Sequence, residues 1–187
     1  MQARKEELIE AVIAYLLKHG LADLSLRPLA AKTGTSARLL IYHFKSKEGL
    51  LAEVLEAMQL RVKQSCLQLM SQASAARTTK PPLMLFWNWA IDVENYPYLK
   101  LLYELQILAI QNPAAYAQYL ERNTVRWLDF ALAAIPPSER SPALATLCGA
   151  VFDGLFIELM STGDRKRTTQ ALDQFIRIVG QARENRP

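Results

Sequence analysis

Apolar residues recur every three or four positions along most of the chain, which is the spacing of helices with one buried face. The first such run begins near Leu8, and Gly20 stands where that helix would end. Ser25 is placed to cap a second helix, and Ser46 to cap a long one over about residues 47–73. No segment alternates with period two for long, so we predict an all-α protein of about nine helices.

The second half of the chain begins after a segment that predicts a linker, SQASAARTTKPP at residues 71–82. Four or five further helices follow, separated by proline at Pro97, at Pro113 and at positions 136–137. The last two are predicted from about Ser141 to Gly163 and from Arg165 to Arg183.

The stretch LLIYHF, residues 39–44, contains only apolar or aromatic residues and one histidine, so its propensity also fits a short buried strand. Its context favours a helix. Ala30 is small enough for two helices to cross closely, and Gly34 supplies the left-handed conformation of a tight turn. This spacing predicts a helix-turn-helix in which Leu39, Leu40 and Phe44 face the core, while Arg38, Ile41, Tyr42 and His43 lie on the outward and flanking faces.

The charge of the chain is concentrated near its beginning. Residues 1–47 hold eight Lys and Arg against four acids, whereas residues 48–187 hold fourteen of each. Residues 25–47 contain five basic side chains and no acid. Such a concentration is typical of a surface that binds nucleic acid, although a solvated basic face without a partner has the same composition.

The composition is that of a folded protein, with 51% apolar and 21% charged residues. No apolar run reaches the roughly 18 residues needed to span a bilayer, and acids stand where a signal peptide would be apolar. We therefore expect a cytoplasmic protein with no membrane partner. Cys66 and Cys148 are far apart and are expected to be buried thiols, without a disulfide or a metal site.

The sequence shows none of the patterns that carry catalysis. It has no nucleophile–base pair, no carboxylate pair at helical spacing in a plausible pocket, and no glycine-rich phosphate loop. We therefore predict neither an enzyme nor a bound cofactor.

The segment SLRPLAAKTGTSARLLIYHFKSKEGLLAEVL resembles the N-terminal domain of the TetR (tetracycline-repressor) family of bacterial transcription regulators. The resemblance covers roughly residues 5–55 and departs from the family at Ile41, where many members have an aromatic residue. The remainder resembles the family in length and helical layout. The resembling positions are Ser25, Ala30, Ala31, Gly34, Ser36, Tyr42, His43, Phe44, Lys45, Ser46, Lys47, Glu48, Leu50 and Leu51.

The resemblance implies a helix-turn-helix DNA-binding domain at residues 1–46 and a helical effector-binding and dimerisation domain at residues 47–187. Arg38 is the candidate for a bidentate guanine contact, with a phosphate contact or an acid pair as alternatives. His43 is either a phosphate donor or a structural histidine. Ile41 cannot donate a hydrogen bond, so it packs on a thymine methyl or on the protein. The predicted DNA-binding residues are Arg27, Thr35, Ser36, Ala37, Arg38, Tyr42, His43 and Lys47.

The last two helices are the expected dimer interface by the same resemblance, and their apolar stripes support it. The alternative is that both helices are buried within one subunit. The residues assigned to dimerisation are Gly149, Phe152, Phe156, Phe175, Ile176 and Val179.

The body helices of the family enclose a small-molecule pocket. Gln106 and Asn123 are polar residues on apolar stripes, so they either orient a ligand or bond to neighbouring backbone. The aromatic stripes either line a cavity or form plain core. The predicted ligand-binding residues are Trp87, Ile91, Tyr103, Gln106, Asn123 and Trp127.

These inferences lead to one functional expectation, a homodimeric repressor that an unknown small-molecule effector releases from a palindromic double-stranded DNA operator. A ligand-independent regulator with a fully packed body is the alternative. A helical enzyme lacks a catalytic group, and a protein-interaction scaffold leaves the acid-free basic stretch unexplained.

Overall fold

Helices account for all regular structure in the described part of the chain. The computed structural model describes the backbone of residues 2–21, 24–133, 135 and 140–184, and the side chains at 2, 123–127, 129, 130, 133 and 182–184 are outside that description. Nine α-helices and no strand occur within these ranges, which confirms the all-α prediction. They are α1 Gln2–His19, α2 Leu26–Lys32, α3 Ala37–Phe44, α4 Lys47–Ala75, α5 Pro82–Ala90, α6 Tyr96–Gln111, α7 Ala117–Ala133, α8 Pro142–Thr162 and α9 Arg165–Glu184.

Capping residues set several helix ends where the sequence predicts them. The hydroxyl of Ser46 accepts a hydrogen bond from the amide of Gly49 at 2.9 Å, at the start of α4. Ser141 accepts from the amide of Leu144 at 3.4 Å at the start of α8. Gly163, with φ of +70°, ends α8 in the left-handed conformation. LLIYHF lies within α3, which confirms the helix predicted for this stretch.

Two boundaries differ from the prediction. Helix α4 continues to Ala75, so the first residues of the predicted linker at 71–82 are helical. Pro97 lies in the first turn of α6 rather than between helices. A proline is tolerated there because the first amides of a helix have no intrahelical partner.

The helices form two compact units. The first contains residues 1–64 and 96–124, and the second contains residues 65–95 and 125–187. Helices α1, α2, α3 and α6 belong to the first unit, and α5, α8 and α9 belong to the second. Helices α4 and α7 contribute residues to both. The functional boundary between residues 46 and 47 stays a prediction.

The core of the first unit is formed by the apolar stripes of its helices. Lys5 and Glu53 form an ion pair of 2.7 Å at its rim, and Arg61 pairs with Glu10. Such partly exposed pairs contribute about 0–1 kcal/mol each, so burial of the stripes stabilises the unit more than the ion pairs do. The buried side chains include Leu8, Val12, Leu16, Leu29, Leu40, Phe44, Leu50, Leu51, Val54, Leu55, Met58, Leu99 and Leu105.

The start of α4 fits tightly against the end of α3 at Gly49. A β-carbon at this position would lie 2.2 Å from the carbonyl oxygen of Phe44, a backbone atom that cannot rotate away. We therefore expect Gly49→Ala to lower the free energy of unfolding by about 1–3 kcal/mol, measured by urea denaturation.

Gly180→Ala is the matched control, because a β-carbon there meets no atom within 4 Å. This helical substitution is expected to raise stability by about 0.4–1 kcal/mol. Equal stability of the Gly49 variant and the wild type would contradict the tight fit.

The core of the second unit is an aromatic cluster centred on Trp87, which has no exposed surface. Its ring meets Phe152 and Phe156 edge-on, with centroids 5.7 and 6.4 Å away. Its indole Nε1 donates to the hydroxyl of Thr169 at 2.9 Å, which joins α5 to α9. Phe86 stacks on Phe152 at 4.6 Å. The phenylalanine rings therefore pack against the apolar part of the indole, and Thr169 accepts the hydrogen bond of its N–H group.

The two cysteines lie in different environments. Cys66 is buried in α4, and this burial raises the pKa of its thiol from 9.0 to about 12. Cys148 in α8 is only partly buried, so the expectation of two buried thiols is correct for Cys66 alone.

Candidate nucleic-acid interface

The turn between α2 and α3 has the geometry that its sequence predicts. Gly34 adopts φ of +65°, and the amide of Thr35 donates to the carbonyl of Ala30 at 2.9 Å. This bond closes the end of α2 in the pattern of a glycine-terminated helix. Ala30 and Leu29 are buried beneath the turn. Helices α2 and α3 are therefore held as a helix-turn-helix.

Helix α3 divides into a buried and an exposed face. Leu40 and Phe44, one turn apart, are buried at 1% and 3% exposure. Arg38 and Tyr42 are exposed on the opposite face, and Ile41 is 40% exposed on its flank. Leu39 is only partly buried.

Leu39, which is predicted to face the core, is only partly buried. With Ser36, Arg38 and Tyr42 it lines a shallow hollow of about 320 Å³ on the outer face of α3. The reason is rotational, because a helix turns by about 100° per residue and Leu39 follows Arg38 around the outer side.

Both ends of α3 are fixed by local bonds. The hydroxyl of Ser36 accepts from the amide of Leu39 at 3.1 Å, so Ser36 is the N-cap. Lys45 ends the helix with φ of +70°, which is a strained conformation for a residue with a β-carbon. Its ammonium lies 5.9 Å from the centroid of the Tyr42 ring. The exposed ring of Tyr42 therefore has a positive charge beside it.

The surface around α3 is positively charged. Arg27, Lys32, Arg38 and Lys45 are all exposed, and none of them forms an ion pair with any residue that the structure describes. Unneutralised cations on one surface create a potential that attracts a polyanion. Lys32 and Lys45 are not among the predicted contacts, although both lie in the acid-free stretch at residues 25–47.

The ammonium of Lys47 has an intramolecular partner. Its Nζ donates to the carbonyl oxygen of Leu24 at 3.1 Å, which ties the segment before α2 to the first turn of α4. Lys47 also lines a cleft of about 370 Å³ in the first unit. The predicted phosphate contact would use its other two protons. The cleft is lined by Leu21, Leu24, Lys47, Leu51, Glu104, Ile107, Leu108 and Gln111.

The structure argues against one predicted DNA contact. The hydroxyl oxygen of Thr35 is buried and has no hydrogen-bond partner among the described atoms, and its amide is used by Ala30. Neither the hydroxyl nor the amide of Thr35 is therefore placed to donate to a phosphate, and its DNA-binding role stays a prediction. Ser36 is exposed, Ala37 and His43 are partly buried, and the ring of His43 meets that of Tyr42 edge-on at 5.2 Å.

Comparison with known proteins agrees with this geometry. Residues 8–54 match the family model described as bacterial regulatory proteins, tetR family. This is the segment that forms α1 to α3 and the start of α4. Residues 8–54 are therefore similar to the TetR family, and the chain as a whole has the TetR-family fold.

Solved structures show how far that fold extends. A protein assigned to the TetR-family transcriptional regulators, from Rhodococcus sp., has a TM-score of 0.71 and 20% identity, covering 96% of this chain and 99% of its own. A protein assigned as a transcriptional regulator from Pseudomonas aeruginosa PAO1 has a TM-score of 0.71 and 21% identity, covering 99% and 95%. The multidrug binding protein EbrR complexed with ethidium has a TM-score of 0.71 and 20% identity, covering 91% and 96%. No curated protein matches the sequence significantly.

The predicted ligand residues of the TetR-family body fall in both units. Trp87 and Ile91 are buried in the second, and Tyr103 and Gln106 are partly buried in the first. The side chains of Asn123 and Trp127 lie outside the described residues. The ligand role of all six positions stays a prediction.

Gln106 takes part in a side-chain network instead of bonding to backbone. The hydroxyl of Tyr119 donates to Gln106 Oε1 and accepts from Gln59 Nε2, so three helices of the first unit share one polar cluster. Burial raises the pKa of Tyr119, a shift that the bond from Gln59 opposes. The hydroxyl therefore remains a donor at neutral pH.

Two of the predicted dimer contacts are corrected. Phe152 and Phe156 are 5% and 0% exposed, because they pack against Trp87 inside the second unit. Neither has surface left for a partner. The other four predicted dimer residues are only partly buried, so a contact with a partner remains a prediction for them. They are Gly149, Phe175, Ile176 and Val179.

Helix α8 nevertheless presents an apolar outer face. Its exposed apolar positions include Leu147, Ala150, Gly154 and Ile157, which recur at helical spacing, and one exposed acid, Asp153, lies among them. By length and composition it is the one helix among the described residues able to cross a membrane, with a mean hydropathy of 1.7, and only 22% of that window is buried. An apolar helix with so little burial leaves a surface for a partner to cover.

Proposed function

We propose that this protein is a sequence-specific DNA-binding transcriptional repressor that acts as a homodimer. Its exposed, unneutralised cations on and around α3 carry the proposal. A helix-turn-helix places its second helix in the major groove, and the surrounding cations contact phosphates. Such a protein acts in the cytoplasm.

The experiment is a titration of duplex DNA at several salt concentrations. A dimer that makes roughly six to ten phosphate contacts would lose about 10³–10⁵ in affinity between about 50 and 200 mM salt, because binding releases condensed counterions. Fluorescence anisotropy with a labelled duplex measures the slope. Affinity that is independent of salt would refute a DNA-binding role.

Arg38 is the residue proposed to read a base. Arg38→Ala is expected to reduce discrimination between the preferred site and random duplex by about 1–3 kcal/mol, because a bidentate guanine contact is lost. Arg27→Ala is the matched control, since Arg27 is also exposed but stands at the start of α2. It should weaken both duplexes alike. Equal losses on the two duplexes for Arg38→Ala would assign Arg38 to the phosphates.

The dimer is supported by the outer face of α8. A two-fold protein presents two copies of α3 and so fits a palindromic operator, with half-sites on successive turns of the duplex. Leu147 and Ile157, both almost half exposed, are suited to an apolar contact between two copies of α8. Gly154 and Ala150 between them allow a close approach of the helices.

Release by a small molecule completes the proposal. EbrR, which shares this fold, was solved with ethidium bound. An effector acts only through its different affinity for the DNA-binding and released conformations. Ethidium itself binds duplex DNA, so its binding to this protein is measured first without DNA, by the anisotropy of the dye.

A broader set of small metabolites is then screened for loss of operator affinity. A compound that lowers operator affinity supports release. An operator affinity that no compound changes favours the ligand-independent alternative.

A further inference from the structure

The outer face of α3 carries an apolar side chain where a DNA-reading surface is expected to be polar. Leu39 is only partly buried and is flanked by Arg38 and Tyr42. Together with Ser36 they form the hollow of about 320 Å³ on that face. The hollow has cations beside it, since Lys45 lies near the ring of Tyr42.

The chemistry of the major groove restricts what can occupy an apolar floor. Base edges there present hydrogen-bond donors and acceptors, and their one apolar group is the 5-methyl of thymine. A donor or acceptor placed against Leu39 would lose its water without gaining a partner. A methyl group instead removes apolar surface from water on both sides.

We propose that this hollow takes the 5-methyl group of a thymine within one base-pair step of the base that Arg38 contacts. The inference rests on the proposed DNA-binding function and adds a determinant of specificity to it. Arg38 and Leu39 are consecutive, so they diverge by about 100° around the helix and reach neighbouring base pairs. Ile41 does not line the hollow, which assigns the methyl contact to Leu39.

The test begins with selection of preferred sites from a random duplex library by the full-length wild-type protein. Each enriched thymine is then replaced, one at a time, by deoxyuridine, which differs only in lacking the methyl group. We expect one replacement per half-site to weaken binding about fourfold, the amount that corresponds to one buried methyl group. This measurement needs no variant protein, so it does not depend on how a variant folds.

Two variants then assign the contact. Leu39→Ala is expected to bind the thymine and deoxyuridine duplexes equally, because the apolar side chain that contacts the methyl group is removed. Ile41→Ala removes an exposed aliphatic side chain from the flank of the same helix and should keep the fourfold preference. Circular dichroism of each variant monitors the helical fold.

The outcomes separate this inference from the function beneath it. An enriched site at which no deoxyuridine replacement matters would overturn the thymine contact and leave DNA binding intact. A preference lost in Ile41→Ala but kept in Leu39→Ala would give the methyl contact to Ile41 and also overturn it. A library from which no duplex is bound would refute the proposed function itself.

Discussion

Ile157→Arg is expected to separate the dimer into single chains and to weaken binding to a palindromic site by about 10²–10⁴-fold. Ile157 is 46% exposed on the outer face of α8, so the arginine should not disturb the subunit's own core. In an apolar contact between two subunits, each added arginine would lose its water. A single chain would keep one reading helix and lose the effective concentration that a second one supplies.

Sedimentation equilibrium measures the mass, and anisotropy measures affinity for the palindrome and for an isolated half-site. The matched control is Val93→Arg, which places the same charge on a residue of the second unit that is 77% exposed. The control should remain a dimer with wild-type affinity. An Ile157 variant that still sediments at twice the chain mass would show that this part of α8 lies outside the interface.

Trp87→Ala is expected to lower the free energy of unfolding by about 3–5 kcal/mol, because it removes the largest side chain of the second unit's core. The loss combines the transfer of the indole with a cavity between Phe152 and Phe156. Because domains are stable by only about 5–15 kcal/mol, the variant should show a large drop in the urea midpoint.

Trp87→Phe distinguishes packing from hydrogen bonding. It retains an aromatic ring but removes the Nε1 donor to Thr169, and should cost less than Trp87→Ala. Far-UV circular dichroism follows the unfolding of both variants. If Trp87→Ala unfolded at the wild-type midpoint, Trp87 would be the wall of an open pocket rather than the centre of the core.

Much of the fold could be predicted because its signals are local. The hydroxyls of Ser46 and Ser141 and the left-handed Gly163 act on neighbouring backbone, so the sequence identifies the start of α4 and both ends of α8. The turn at Gly34 is also a property of a few adjacent residues. These features depend little on distant packing.

The orientation of single side chains was harder to predict. Leu39 was assigned to the core by its apolar character, whereas its rotation about α3 places it beside Arg38 and Tyr42. The helical period places Leu39 beside the exposed Arg38, whereas its apolar side chain suggests a buried position. The bond from Lys47 to Leu24 depends on tertiary contact, for which the sequence has no signal.

The sequence is equally unable to predict which face of α8 is buried inside the subunit. The helix is apolar on most sides, so its sequence cannot tell which side packs within the subunit. The structure places Phe152 and Phe156 inside and Leu147 and Ile157 outside. The sequence therefore predicts α8 as an apolar helix suited to an interface. It also assigns Phe152 and Phe156 to that interface, whereas the structure buries both inside the subunit.

The buried thiol of Cys66 has a consequence for the kind of signal that the protein can sense. Oxidants and electrophiles react with the thiolate, and burial raises the pKa of this thiol to about 12, so it is protonated at neutral pH. Cys66 is also only 2% exposed, so a reagent must wait for α4 to open locally. Cys66 is thus chemically silent in the folded state, and reaction at this thiol reports unfolding rather than oxidative stress.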